Sequence, residues 1–334
     1  MATLLGNESS DSRLLLSAIS DTSSKIQSKI GQFFAPIAMS QSLTSESFMH
    51  WEPNTFSPLN DDQFLQWQIL LEKRTGMYIN IHHRSLLESN LIIRMREIGC
   101  PDFDEYYNKV CAKPDGIVEW SILIDRIMVQ ETRFYRNAES LALFTHYLES
   151  SSLKKDAGAI NIWSMGCSSG EEPYTLAILC QETLNKLESN RSFGITATDI
   201  SLPVLAKARE GIYNARKLFD LKSELIDTYF DTLDDNKFRI KPPLKSKVCF
   251  SMANMIDIEK SPLRNMDVIY CQNVLIYFRK ERKHVILDNL VERLAPGGLL
   301  IIGQGEAVDW HNSSVSRVPD NQTLAYIRQT TQEH

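Results

Sequence analysis

What this 334-residue sequence lacks narrows its function before any motif is read. Its six cysteines, at 100, 111, 167, 180, 249 and 271, contain no C-x-x-C pair. Neither a zinc site nor a disulfide framework is indicated, so reduced thiols and no metal are expected. No apolar run approaches the roughly 18 residues that a membrane span requires. The N-terminus has no basic segment followed by a long apolar core and a small-residue cleavage site. A cytoplasmic protein with no direct membrane insertion is therefore expected. The formal net charge of −6 speaks against nucleic acid as a partner. The dinucleotide fingerprint G-x-G-x-x-G is missing, and so is the lysine of a phosphate-binding loop.

What is there divides into three textures. Residues 1–60 are rich in serine, with Leu15, Ile19, Ile26, Ile30, Phe33 and Ile37 at loosely helical steps. This extension is expected to be disordered or partly helical. From Asp61 to Met128 the pattern is helical: "DDQFLQWQILLEKRTG" and "HHRSLLESNLIIRMREIG" each stop at a glycine, and "DFDEYYNKVC" and "IVEWSILIDRIM" follow. This is read as a small all-α domain, residues 61–128. Residues 129–334 alternate short β-rich runs with helical ones, from "INIWSMG" and "EPYTLAILCQETL" through "FGITATDI" to "GGLLIIGQ". Such alternation predicts an α/β fold, a parallel sheet covered by helices on both faces. A polar stretch at about 221–247 interrupts it and is read as a small β insertion.

In sheets of this kind the ligand sits at the carboxyl ends of the strands. The first such end reads "GCSSGEEPY", residues 166–174. Gly166 and Gly170 allow close approach of a ligand to the backbone; the plainer alternative is a tight turn. Glu171 and Glu172 follow at the start of a helix, where carboxylates complement the helix dipole. They also suit a ligand that is cationic there and carries no phosphate, and S-adenosylmethionine, with its sulfonium, ammonium and ribose, is one. Asp199 ends the next strand, where nucleotide sites keep an acid for the ribose hydroxyls. It is alternatively a helix cap, although Ser201 already offers one. Later ends carry Asn254 and Met255, then Gln272, Asn273 and Tyr277 in "YCQNVLIYF". The Pro-Pro-aromatic motif of many DNA amino-methyltransferases is missing there, which again disfavours a DNA substrate.

The segments "WSMGCSSGEEPYTLAI", "ATDIS…VLAKAREGIY", "CQNVLIYF" and "PGGLLIIGQGEAV", with "ETRFYRN" at 131–137, resemble the bacterial CheR-type chemoreceptor methyltransferases. The resemblance runs in order from about residue 61 to 330. It implies a Rossmann-like class I methyltransferase domain with a small inserted β-subdomain, preceded by an all-α receptor-docking domain. It also implies methyl transfer from S-adenosyl-L-methionine, with S-adenosyl-L-homocysteine as product, to glutamates of a chemoreceptor's cytoplasmic helical domain. A monomer is expected. By position, the implied cofactor contacts are Gln130, Thr132, Arg136, Gly166, Glu172, Asp199, Asn254, Met255, Gln272 and Asn273. Arg136 and Tyr277 are implied beside the reacting end of the cofactor. Gln130 stands where the family often has asparagine, and Gln272 where it often has arginine. The helix thought to face the receptor keeps Arg84, Arg94 and Arg96 but is less basic than in other members.

The implied chemistry needs no base. A glutamate with a pKa near ~4.3 is already an anion at neutral pH. Positioning and a water-poor site then do the work, consistent with strand ends that present no histidine. Two alternatives remain: a methyltransferase acting on a small carboxylic acid, and a cofactor-binding adaptor without activity. Pro242 and Pro243 in the insertion predict an edge poorly suited to gripping a receptor tail peptide, so recognition without such a tether is expected.

Overall fold

The computed structural model describes residues 56–128, 131–150, 158–234, 236–320 and 322–330. The expectation for residues 1–60 falls almost wholly outside them.

The helical unit begins at α1 (Asp61–Thr75), where Asn60 and Gln63 form a reciprocal capping box. It ends at Gly76, in the left-handed region at φ 78°, whose N–H returns to the Glu72 carbonyl. Then come α2 (Arg84–Ile98), α3 (Phe103–Cys111), capped by Asp102, and α4 (Gly116–Ile127). Trp67, Leu71, Leu87, Leu91, Met95, Tyr106 and Leu123 close the core between them.

The α/β unit opens with α5 (Ala138–Glu149), β1 (Ile160–Met165), α6 (Glu171–Lys186), β2 (Phe193–Asp199) and α7 (Leu202–Glu210). After the insertion come β6 (Val248–Met252), β7 (Met266–Cys271), α10 (Lys280–Arg293) and β8 (Leu294–Ile302), then β9 (Val315–Arg317) and β10 (Leu324–Arg328). The strand order is β6-β2-β1-β7-β8-β10-β9. The first five strands run parallel, whereas β10 pairs antiparallel with β8 and β9 with β10. The sheet is thus mixed, not wholly parallel as the alternation predicts. The last two strands are short, and their pattern carries no helix between them to signal a crossover.

Alternation along the strands feeds two cores. Ile162, Val268, Tyr270, Leu299 and Ile301 meet α5 and α6 on one face. Trp163, Ile269, Cys271, Leu300 and Ile302 meet α10 on the other. This is the doubly wound, Rossmann-like arrangement expected. Its order reverses between β1 and β7, the point where such sheets open a crevice.

The insertion is larger than the polar stretch suggests. It begins at β3 (Ile212–Asn214), continues through α8 (Ser223–Tyr229), β4 (Phe230–Asp234) and β5 (Lys237–Ile240), and closes with α9 (Pro242–Lys245). The three strands form an antiparallel sheet of order β3-β5-β4. Pro242 and Pro243 start α9, where their fixed φ suits a first helical turn, and take no part in the sheet. They do not obstruct an edge, so the prolines give no argument against a tether.

Candidate active site

At the switch point β1 runs into a turn that only glycine can make. Gly166 has φ 68°, and a Cβ there would lie 2.4 Å from Val274 Cγ2. Gly170 has φ 94°, and its Cβ would meet Ala208 Cβ and the Tyr213 hydroxyl at 2.9 Å. The turn is therefore pressed against the loop after β7 on one side and against α7 on the other. Gly166 and Cys167 both donate to the Thr198 carbonyl, at 2.8 and 3.0 Å, which ties the turn to the end of β2.

The two adjacent glutamates part company here. Glu171 is fully buried, 3.0 Å from Lys217 Nζ, and accepts from Ser169 Oγ at 2.8 Å. It fastens the turn to the insertion and faces no ligand, which corrects the paired reading of the two carboxylates. Glu172 lines a cavity at the switch point. Ser164 Oγ donates to it at 2.7 Å. Burial nevertheless pushes its pKa up to about 8, against the pull of that hydrogen bond and of Arg136.

The space between the cavity walls, counted out to the mouth and into open solvent, is about 1150 Å³. Every cofactor position read from the sequence except Gln130, which lies outside the described residues, lines this cavity, as does Tyr277. Asp199 accepts from the backbone N–H of Ser168 and of Ser201, both at 2.9 Å, one on each carboxylate oxygen. Each oxygen keeps a second lone pair. Ser201 caps α7, so Asp199 is not needed there. Burial raises the Asp199 pKa despite those N–H bonds.

Arg136 reaches the cavity from a loop whose backbone is left-handed on both sides, at Tyr135 (φ 55°) and Asn137 (φ 61°). Its guanidinium donates to two neutral oxygens, the Glu131 carbonyl at 2.7 Å and Asn273 Oδ1 at 3.3 Å. Thr132 lines the cavity from the same loop. Tyr277, half-buried in a 3₁₀ turn (Leu275–Tyr277), has its hydroxyl pKa raised by burial. The buried Glu306 holds this turn by accepting from Ile276 N–H at 3.2 Å and Gly303 N–H at 2.7 Å.

Two further positions behave differently from a plain cofactor contact. Gln272 spends its amide on protein partners, two donors and two acceptors. Asn254 Nδ2 donates to the Arg74 carbonyl at 2.7 Å and its Oδ1 accepts from Ile256 N–H at 3.3 Å. Asn254 thereby joins the cavity rim to the end of α1, while its neighbour Met255 supplies apolar wall.

The sequence reading missed Ser168, Thr75, Met77 and Met128. Ser168 lines the cavity, and its Oγ is buried with no partner among the described residues. It lies inside the quoted glycine turn, so a signal existed. Thr75, Met77 and Met128 bring the helical unit into the cavity wall, and nothing in their spacing announces it. The seam between the units is dense: Met77 bridges Phe278, Tyr78 N–H donates to the Tyr277 carbonyl at 2.8 Å, and Arg279 Nε meets Glu72 at 2.7 Å. Ser201 Oγ also donates to Asp125 at 2.6 Å.

The three expected docking arginines fare unequally. Arg94 is engaged with Glu119 through two contacts of 2.8 Å and with Glu97 at 3.0 Å. Arg84 pairs with Asp61 at 2.5 Å, donates to the Leu59 carbonyl and stacks on Phe64. Only Arg96 stands exposed, its guanidinium over the Phe56 ring. With eight Lys and Arg against eleven Asp and Glu over residues 61–128, the unit is acidic on balance. Its exposed apolar side chains are Leu65 and Ile69 on α1, Ile81, Leu86 and Ile93 on or before α2, and Ile117 and Val118 on α4.

The cavity fits a cationic nucleoside. Glu172, Asp199 and Ser168 line it together with Arg136, whose guanidinium meets Asn273 on a strand end that carries only amides. Comparison with known proteins agrees. Residues 130–324 match the model of the CheR methyltransferase SAM-binding domain, and residues 62–128 that of the CheR methyltransferase all-alpha domain. A chemotaxis protein methyltransferase of Borreliella burgdorferi is 34% identical over 238 residues, 70% of this chain and 83% of that protein. Chemotaxis protein methyltransferase 2 of Vibrio cholerae is 29% identical over 275 residues, 82% and 92% of the two chains. The chemotaxis protein methyltransferase of Escherichia coli is 30% identical over 251 residues, 74% and 85%.

Proposed function

The chain belongs to the CheR methyltransferase family and uses S-adenosylmethionine, and we propose that it methylates glutamate side chains in the cytoplasmic helical domain of a chemoreceptor, giving methyl esters for sensory adaptation. The observation that carries this reading is the cavity's charge pattern together with the absence of any histidine or lysine from its lining among the described residues. A carboxylate acceptor needs neither, because it arrives ionised.

When bound, S-adenosylmethionine supplies an electrophilic methyl group on a sulfonium. Glu172 would face the cationic end of the cofactor, and Asp199 and Ser168 would accept and donate at the ribose. Arg136 would hold the cofactor's carboxylate with its planar fork, and Asn273 Oδ1 steers that fork. Met165, Met255, Phe278 and Tyr277 line the cavity and would enclose the reacting end. They keep water from solvating the acceptor carboxylate, which raises its reactivity. Gln272 and Asn254 would act through their protein partners.

The helical unit, residues 61–128, is proposed to meet the receptor. Because Arg84 and Arg94 are engaged internally, that contact would rest on Arg96 and on exposed Leu86 and Ile93 of α2. The test is transfer of labelled methyl groups to receptor cytoplasmic fragments, with base-labile release of methanol. Esters on glutamate are expected. Cofactor binding without any transfer to such fragments would overturn the substrate.

A further inference from the structure

The environment of Gln272 points beyond this reading. We infer that Gln272 is a positioning residue for Arg136, acting through Asn137; the inference rests on the role of Arg136 proposed above. The two neighbours of Arg136, Tyr135 and Asn137, hold φ values of 55° and 61°. Side chains other than glycine persist there only where the surroundings over-determine the backbone. Each has an anchor. Tyr135 N–H donates to Thr175 Oγ1 at 3.2 Å, and Asn137 Nδ2 donates to Gln272 Oε1 at 2.7 Å.

Gln272 is itself fixed. Its Oε1 also accepts from the Tyr270 hydroxyl at 3.0 Å, and its Nε2 donates to Ser140 Oγ at 2.7 Å and to the Ile302 carbonyl at 3.3 Å. A carboxamide has two donors and two acceptor lone pairs, so all four are used and the amide has one orientation. An arginine at this position would present donors only, so Asn137 would have to turn its amide over and offer Oδ1 in place of Nδ2. The glutamine is thus matched to an asparagine that must be held left-handed. The adjoining Asn273 completes the arrangement by receiving Arg136 itself. One strand end therefore fixes both the turn and the guanidinium it carries.

The experiment is calorimetric titration of the full-length protein with S-adenosylhomocysteine. The variants are Gln272→Met, Asn137→Gly and Arg136→Ala, singly and with each of the first two combined with the third. Asn137→Gly keeps the left-handed backbone without strain and removes only the amide link, so it serves if Gln272→Met fails to fold. Each of the first two variants is expected to weaken binding roughly tenfold, within the coupling range of contacting residues, and to have under about twofold effect in the Arg136→Ala background. Equal losses in both backgrounds would make Gln272 a residue of general structural support and overturn the inference, as would unchanged affinity in the single variants. Unchanged affinity in Arg136→Ala alone would instead remove the reading of Arg136, and this inference with it.

Discussion

The helical unit and the cavity of the α/β unit treat buried charge in opposite ways. In the helical unit Glu119 receives Arg94 through two 2.8 Å contacts and the Tyr106 hydroxyl at 2.8 Å, and Glu97 links Arg94 to Arg126. Burial pushes the Glu119 pKa up, but its hydrogen bonds from Arg94 and Tyr106 outweigh that and hold it below its ordinary value. In the cavity, burial wins: it raises the pKa of both Glu172 and Asp199 above their ordinary values. The first pattern is what a scaffold needs, since breaking a matched pair strands its partner. The second is what a binding site needs, since the counter-charge is to come with the ligand.

The sharpest way to break this contrast is Arg94→Met, which leaves Glu119 buried with only a tyrosine for company. A loss of about 3–5 kcal/mol is expected from urea unfolding, the usual cost of removing one partner of a buried pair. A loss near that of a surface substitution would mean the network is not a scaffold. On the cavity side, Asp199→Asn should cost only the one backbone N–H that its amide NH2 can no longer receive, about 1–3 kcal/mol, and weaken S-adenosylhomocysteine by roughly 1.5–3 kcal/mol for each hydrogen bond to charge that is lost. Calorimetry reads this directly, and wild-type affinity would take Asp199 out of the site.

Glu172 allows the comparison to be sharpened by pH. Its folded pKa, about 8, lies above its ordinary value, so the folded state holds the proton more tightly than the unfolded chain. Its contribution to stability is then full below about pH 4.5 and is lost as pH rises through about 8. Glu172→Gln should abolish this share, so that its melting temperature gains on the wild type as pH climbs through that window. A cationic ligand favours the ionised form. Wild-type affinity for S-adenosylmethionine should therefore rise toward pH 8, about tenfold at most per unit, and the variant's should stay flat. Parallel pH profiles would show that Glu172 does not face the cation. The smallest effect is expected where charges are paired but solvated: Lys186→Ala, which removes the contact to Glu149 with lysine 71% exposed, should shift stability by about 0–1 kcal/mol and affinity not at all.

Much of the fold was legible because its signals are local. Gly76 and Gly99 ended their helices where expected, and Asn60 and Asp102 capped as their side chains permit. The strand-end motifs were legible for the same reason, and they converge on one cavity. What the sequence did not announce depends on tertiary partners. Helix α5 keeps helical spacing at Leu141, Phe144 and Leu148, but its first residue follows a left-handed Asn137 that makes no side-chain cap, so no start signal marks it. Strand β10 needs β8 beside it to be a strand. Glu171 and Glu172 are identical neighbours whose roles are split by Lys217, 46 residues beyond the Glu171 it pairs with, which no spacing rule connects. Arg84 and Arg94 looked available because the carboxylates that engage them, Asp61 and Glu119, lie on other helices.

The seam between the units carries a consequence for engineering. Thr75, Met77 and Met128 form part of the cavity wall, and Asn254 is tied to the last turn of α1. A chimaera that imported another protein's helical unit to redirect receptor choice would also import a different wall for the methyl donor. Target recognition and cofactor affinity are consequently not interchangeable cartridges in this chain. Any graft has to carry residues 74–78 and their partners at 254 and 277–279 across as a single block.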